Sequence, residues 1–284
     1  VYLNMNPVCT DRVSFLVIMR IAIIGFGNMG KTYANSFMSS GFVGASDILI
    51  LNRTNIEENN NFGIDSTNFY TEPNPRIFES DIVILAVKPQ DFKQLAAEIK
   101  LFLNSEHVVL SVMAGISIEA MQKELGVTKI VRSMPNIPTQ IGEGMTVFCA
   151  SNAVDRKELF IVQNLINTTG KSIYIEKEEM LNAATAVSGS GPAYVFYFMQ
   201  AMIESAIKLG FSASEAEFLV SQTFSGSVQL QNRSKLSNAD WIQRVASKGG
   251  TTEAALTIFN QNELQKGITK GIEAANIRAI ELGT

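Results

Sequence analysis

Between Arg20 and Ile175 the chain alternates short apolar runs with stretches of helical period, and after Glu176 the apolar runs stop. Arg20–Ile24 reads as a buried strand, Asn28–Ser40 as a helix ending near Gly41, and Asp47–Leu51 as a second strand. Asp81–Val87 is a third strand, closed by Lys88-Pro89 and followed by a helix toward Leu103. His107–Val112, Lys129–Ser133, Met145–Ala150 and Ser172–Ile175 read as further strands, with helices after Ser117 and over Asp155–Thr168. Strands joined through helices need crossover connections, so this order predicts a mainly parallel, doubly wound sheet.

The remainder reads as helix throughout. Glu178–Val187 has helical period, and Ser188-Gly189-Ser190-Gly191 is expected to break it. Pro192 then suits the first position of a helix running to Leu209, because a proline there lacks only an N–H that has no helical acceptor. Gly210 ends that helix, Ser212 or Ser214 opens the next, and segments near 240–246, 252–260 and 264–282 complete the half. Pro192–Ile203 is too apolar for a solvated surface. A helix apolar on all sides must be buried, which predicts an obligate dimer through residues 177–284.

Gly25-Phe26-Gly27-Asn28-Met29-Gly30 follows the first strand and opens the first helix. That is the context in which Gly-x-Gly-x-x-Gly binds a dinucleotide. Gly25 permits the tight turn, Gly27 lets the backbone approach a pyrophosphate, and Gly30 lets helix and strand pack closely. The helix start adds N–H donors and a partial positive charge. The alternative is a glycine turn without a ligand. The fold class expected is therefore α/β, with an N-terminal Rossmann-like dinucleotide-binding domain over 19–176 and an all-helical domain over 177–284. Residues 1–18 have no clear period, and Met19-Arg20 looks like a native start. They are expected to form a flexible extension, with an ordered extra strand as the alternative.

Other segments lie where an α/β sheet binds ligands, at the carboxyl ends of strands. Asn52-Arg53-Thr54 stands where an NAD enzyme usually carries an acidic residue for the ribose 2′-hydroxyl. All three offer donors to a 2′-phosphate, which favours NADPH over NADH. The alternative is a solvated Arg53. Ala86-Val87-Lys88-Pro89 places Lys88 either against cofactor or substrate or in an exposed helix-start turn. The Met134–Pro138 loop, with Asn136, either lines a site or serves as a rigid turn. Ser247-Lys248-Gly249-Gly250-Thr251-Thr252 offers small residues, backbone N–H groups and hydroxyls at a helix start, fit for a small anion.

Composition excludes several classes. With 23 Lys+Arg against 27 Asp+Glu and no basic stripe, nucleic acid is not expected as a partner. No apolar run reaches the roughly 18 residues of a membrane span. Cys9 and Cys149 are far apart, with no Cys-x-x-Cys pair, which argues against a disulfide framework or zinc and for a reducing cytoplasm. His107 is the one histidine, so neither a Ser-His-Asp set nor a metal cluster stands out. Glu178-Glu179 reads as a solvated helix start, since adjacent helix residues do not face each other.

Taken together these motifs resemble the pyrroline-5-carboxylate reductase family, over essentially all of 19–284. The resemblance rests on Gly25–Gly30, Ala86–Pro89, Arg132-x-Met134-Pro135-Asn136-x-Pro138, Gly189–Tyr194 and, most specifically, Val245-x-Ser247-x-Gly249-Gly250-x-Thr252. Many members carry Pro where Lys248 stands, so this loop is expected to be less rigid. The resemblance implies an NADPH-dependent last step of proline biosynthesis, with NADH as the lesser cofactor. It implies a helical domain that intertwines with a second copy, dimers that in some members build decamers, and a substrate loop drawn partly or wholly from the partner subunit. Gly25, Phe26, Gly27, Asn28, Met29, Gly30, Asn52, Arg53, Thr54, Ala86, Val87, Lys88, Pro89 and Asn136 become the expected cofactor contacts. Ser247, Gly249, Gly250, Thr251 and Thr252 become the substrate contacts, and Thr252 and Lys88 the catalytic residues. The Thr252 hydroxyl would bond the ring nitrogen, and the N–H groups around Gly249, Gly250 and Thr251 the carboxylate.

Reducing a cyclic imine needs a hydride at carbon and a proton at nitrogen. The nitrogen arrives protonated or takes its proton from water, so a chain without a catalytic histidine suits the chemistry. A β-hydroxyacid dehydrogenase would need a lysine in the helix after Gly189–Gly191, and Pro192–Gln200 has none. A non-catalytic sensor of the same fold is the other alternative.

Overall fold

The computed structural model describes residues 19–54 and 63–283. The expected extension at 1–18 and an Asn-rich loop at 57–61 lie outside the described residues. Among the described residues eight strands form one sheet in the order β3-β2-β1-β4-β5-β6-β7-β8. They are β1 (Ile21–Ile24), β2 (Ile48–Leu51), β3 (Phe69–Tyr70), β4 (Ile82–Leu85), β5 (Val108–Ser111), β6 (Ile130–Met134), β7 (Gly144–Ala150) and β8 (Gly170–Tyr174). β1 pairs in parallel with both β2 and β4, so the strand order reverses direction there.

Alternate residues of the central strands feed two cores, as a pleat requires. Ala22, Ile24, Val83 and Leu85 face α2 (Phe92–Ile99) and α3 (Ile118–Leu125) through Ala96, Ile99, Met121 and Leu125. Ile21, Ile23, Ile82 and Ile84 face α1 (Asn28–Ser39) and α4 (Arg156–Asn167) through Tyr33, Phe37, Val162 and Leu165. With helices on both faces, β1, β2, β4 and β5 are buried along their full length, which explains their unbroken apolar runs.

The sheet departs from a purely parallel one at β7, which runs antiparallel to β6. Only a short 3-10 turn, Ile137–Ile141, links the two, too little chain for a crossover. β3 was not anticipated, since two residues cannot display an alternation.

The helical half comprises α5 (Met180–Ala184), α6 (Gly191–Lys208), α7 (Ala213–Asn232), α8 (Asn238–Val245), α9 (Thr251–Gln261) and α10 (Leu264–Glu281). The expected break at Ser188–Gly191 takes the form of a π-helical turn over Thr185–Gly189 and a bend at Ser190, between α5 and α6, rather than a loop, with the Ser190 N–H donating to the Thr185 carbonyl at 2.8 Å. Pro192 sits at the second helical position, after Gly191. It cannot donate to the Ser188 carbonyl four residues back, and Asn136 Nδ2 donates to that carbonyl instead, at 3.2 Å.

A second correction concerns Glu178, which is not a solvated residue. It binds Arg132 Nη1 at 2.6 Å and accepts the Ile118 N–H at 2.9 Å. The pair ties the start of the helical half to β6 and to the N-terminus of α3. Helix α6, expected to be buried, has no buried residue within the single chain. Phe196, Tyr197 and Phe218 are 62%, 76% and 72% exposed. Among the described residues no helix is long and apolar enough to cross a membrane.

Candidate cofactor cleft and substrate loop

Where β1 and β4 end, a cleft of about 260 Å³ opens, the place the strand reversal predicts for a ligand. Gly25 has φ of +95°, and a Cβ there would lie 2.7 Å from the Ala86 carbonyl oxygen. A Cβ on Gly30 would run into the Gly25 carbonyl oxygen, whereas around Gly27 no heavy atom lies within 4 Å of the corresponding position. Gly25 and Gly30 are thus constrained from inside the fold, while Gly27 leaves open space beside the cleft. α1 begins without a side-chain cap, so its first N–H groups are available to an anion. These features fit a dinucleotide pyrophosphate.

Gly25, Phe26, Gly27, Asn52, Arg53, Ala86, Val87 and Lys88 line this cleft together. Pro89 opens the adjoining 3-10 turn. Met29 instead packs against the core under α1, and Asn28 borders a separate polar groove beside Lys31.

The roles of two amides change. Asn52 Oδ1 accepts the Phe26 N–H at 3.0 Å, and its Nδ2 donates to the Thr54 carbonyl and hydroxyl at 2.9 and 3.1 Å. It fastens the glycine turn to the end of β2 rather than offering donors to a 2′-phosphate. Asn136 Oδ1 accepts the Met145 N–H at 2.8 Å while its Nδ2 holds Ser188, so its side chain clamps β7 and the π turn. Arg53 is not simply solvated: its Nη2 meets Asp91 Oδ2 at 3.2 Å. Asp91 was missed by the sequence reading. The signal was its place two residues after Pro89, in the turn already singled out for Lys88. Among the described residues Lys88 makes no ion pair, so its charge is available to the cleft.

The second constellation lies elsewhere in the chain. The Ser247 N–H donates to the Val245 carbonyl at 3.2 Å, and the Gly250 N–H to the Ser247 carbonyl at 3.0 Å. Gly249, at φ +72°, donates its N–H to Glu253 Oε2 at 2.6 Å. The loop therefore engages the N–H groups of Gly249 and Gly250 internally. Thr251 and Thr252 are the first and second residues of α9, and Gly250 provides no side-chain cap. Thr252 is thus not the first helical residue. The N–H groups of these two threonines and the Thr252 hydroxyl have no partner among the described residues. None of residues 247–252 lines the dinucleotide cleft, and α9 packs chiefly on α10.

Other titratable groups are structural. His107 is buried, with Nδ1 accepting the Asn104 N–H at 3.0 Å, which leaves Nε2 to donate to the Phe78 carbonyl at 2.7 Å. Burial, reinforced by the nearby Glu178 charge, pushes the Cys149 thiol up to about 12. Burial also raises the Tyr33 phenol. Among the described residues no three His, Cys, Asp or Glu side chains gather as metal ligands.

A mainly parallel sheet that closes on a glycine turn, an uncapped helix start and a strand-end cleft carrying Arg53 and Lys88 define a dinucleotide-dependent oxidoreductase of the Rossmann type. Family comparison divides the chain in the same way. Residues 20–115 match the family described as NADP oxidoreductase coenzyme F420-dependent, and residues 178–282 match pyrroline-5-carboxylate reductase dimerisation. A pyrroline-5-carboxylate reductase of Pseudomonas aeruginosa is 34% identical over 268 residues, covering 93% of this chain and 96% of the relative. One from Aquifex aeolicus is 30% identical, covering 95% and 99%. The solved structure of the Coxiella burnetii reductase superposes with a TM-score of 0.86 at 30% identity, covering 94% of this chain and 99% of that one. The Plasmodium falciparum enzyme, solved with NADP bound, gives 0.84 at 27% identity, covering 94% and 98%. The chain belongs to the pyrroline-5-carboxylate reductase family.

Proposed function

We propose that this protein reduces 1-pyrroline-5-carboxylate to L-proline with NADPH, the last step of proline biosynthesis. NADH is the lesser cofactor. The observation that carries the reading is the open start of α9: two unpaired N–H groups and an unpaired Thr252 hydroxyl behind two glycines. It occurs in a chain whose relatives bear that enzyme's name over nearly their whole length.

Bound NADPH supplies the hydride that adds to the imine carbon. The protein's own groups do the rest. The α1 N-terminus receives the pyrophosphate across Gly27, and Lys88 and Arg53 add positive charge in the cleft. Thr251 and Thr252 N–H groups hold the substrate carboxylate, with Ser247, Gly249 and Gly250 shaping the loop that presents them. The Thr252 hydroxyl bonds the ring nitrogen, which arrives protonated or takes one proton from water.

The distance in the fold between this loop and the cleft is resolved by a second subunit. The division we propose is a cofactor domain over 19–176 and a dimerisation and substrate domain over 177–284, whose exposed apolar helices intertwine with a copy of themselves. The partner then supplies the substrate loop, and the resemblance implies that dimers can build higher oligomers, such as the decamers of some family members. Burial of Cys149 as a free thiol supports a reducing, cytoplasmic setting.

Steady-state assay with 1-pyrroline-5-carboxylate and NADPH tests the reaction, with turnover expected and its absence fatal to the reading. Light scattering tests the assembly: a stable, active monomer at micromolar concentration refutes it.

A further inference from the structure

We propose that Asp91 sets the balance between NADPH and NADH by competing with the 2′-phosphate of NADPH for Arg53. The inference rests on the reading of Arg53 as the 2′-phosphate residue and adds a second, opposing residue to it.

Asp91 ends the 3-10 turn Pro89–Asp91 and runs into α2 in helical conformation, at φ −88° and ψ −11°, so its side chain is not placed to cap that helix. It makes no cap bond. Its carboxylate is turned across the cleft to Arg53 Nη2, at 3.2 Å. The contact is a single one, and the Arg53 side chain is 71% exposed against 31% for Asp91. Among the described residues most of the guanidinium's five donors are therefore left open to solvent beside the cleft that both residues line. Among the described residues the other charged groups lining it are Lys88 and Glu98, and Gln94 Nε2 donates to Glu98 Oε1 at 3.0 Å.

The two cofactors differ only in what they present to this spot. NADPH carries a phosphate of charge near −2, which seeks Arg53 and is repelled by Asp91. NADH carries a neutral hydroxyl, to which a carboxylate is a good acceptor, the role an acidic residue after β2 plays in NAD enzymes. Here the acidic residue comes from the opposite wall, after β4, while the β2 end keeps its arginine. Opposed charges on the two walls moderate a preference that Arg53 alone would make steep.

The test is isothermal titration calorimetry of the full-length protein with NADP⁺, NAD⁺ and 2′,5′-ADP. Asp91→Asn keeps the side chain's shape and removes its charge. We expect it to tighten NADP⁺ and 2′,5′-ADP by about fivefold, the size of one charge repulsion near a surface. NAD⁺ should be unchanged or weaker, and the difference should shrink at high salt. A ratio of NADP⁺ to NAD⁺ affinity within twofold of the parent protein overturns the proposal, and so does a shift toward NAD⁺. Arg53→Ala separates the two readings. If it loses NADP⁺ and NAD⁺ equally, the 2′-phosphate assignment of Arg53 fails and the proposal falls with it. If it loses NADP⁺ selectively while Asp91→Asn changes nothing, only the role of Asp91 is refuted.

Discussion

Alanine at Gly27 and at Gly30 should have opposite consequences, although both belong to one glycine motif. Gly27 has φ −77° and ψ −161°, a conformation alanine adopts without strain, and its added methyl meets nothing within 4 Å. Alanine is the poorer helix cap, which costs a few tenths to about 1 kcal/mol. It also restricts the unfolded chain, which stabilises by about 0.4–1 kcal/mol. The two offset, so Gly27→Ala should melt within a degree or two of the parent. On the proposed reading, however, the methyl fills the space through which the cofactor pyrophosphate reaches the α1 N-terminus. Overfilling a fitted contact costs about 1–3 kcal/mol, or about 5–150-fold in Kd for NADPH.

Gly30→Ala directs its methyl into the Gly25 carbonyl oxygen. That atom belongs to the backbone and cannot rotate away. The same 1–3 kcal/mol or so then falls on folding, lowering Tm by about 2–4 °C per kcal/mol, and the distorted turn binds cofactor poorly as well. Calorimetric melting and NADPH titration of both variants decide the matter. A Gly27→Ala protein that binds NADPH within twofold of the parent would refute the assignment of that space to the cofactor. A Gly30→Ala protein as stable as the parent would refute the packing argument.

Thr252→Ala should leave the melting temperature unchanged, because the hydroxyl bonds nothing among the described residues, while kcat/KM falls about tenfold or more. Unchanged kinetics would remove Thr252 from the site. Glu178→Ala should cost about 2–4 kcal/mol in urea unfolding at fixed protein concentration. It strands Arg132, whose side chain is 10% exposed, and the cost stays below that of a fully buried pair because Glu178 is 29% exposed and water reaches it. A loss below about 0.5 kcal/mol would show the pair to be inert. In a Cys9→Ser background, Cys149 should resist thiol reagents at pH 8 until the protein unfolds. Its folded pKa, about 12, lies above the ordinary 9.0, so the folded state keeps the proton longer. The associated stability is full below pH 9 and is lost as pH rises toward 12. Rapid, stoichiometric labelling of the folded protein would contradict this.

The α/β class, the order of its two halves and the location of the cleft were all legible in the sequence. Each rests on short-range chemistry: strand and helix periods, and a glycine turn whose spacing has meaning only between a strand and a helix. What residues do once brought together was not legible. Asn52 looked like a free donor and Asn136 like a cofactor contact, but their amides are engaged by Phe26, Met145 and Ser188, partners far away in the chain. Glu178 looked solvated, yet it meets Arg132 across 46 residues. The glycine run at 249–250 looked like exposed N–H groups, but the loop folds those two onto Ser247 and Glu253 and leaves Thr251 and Thr252 open. Asp91 faces Arg53 only because β2 and β4 flank β1 in the sheet. Periodicity records which face of an element is apolar, and so determines the layers. Hydrogen-bond and ion-pair partners depend on strand order and register, which bring distant residues within 3 Å, and that information exists only in the tertiary fold.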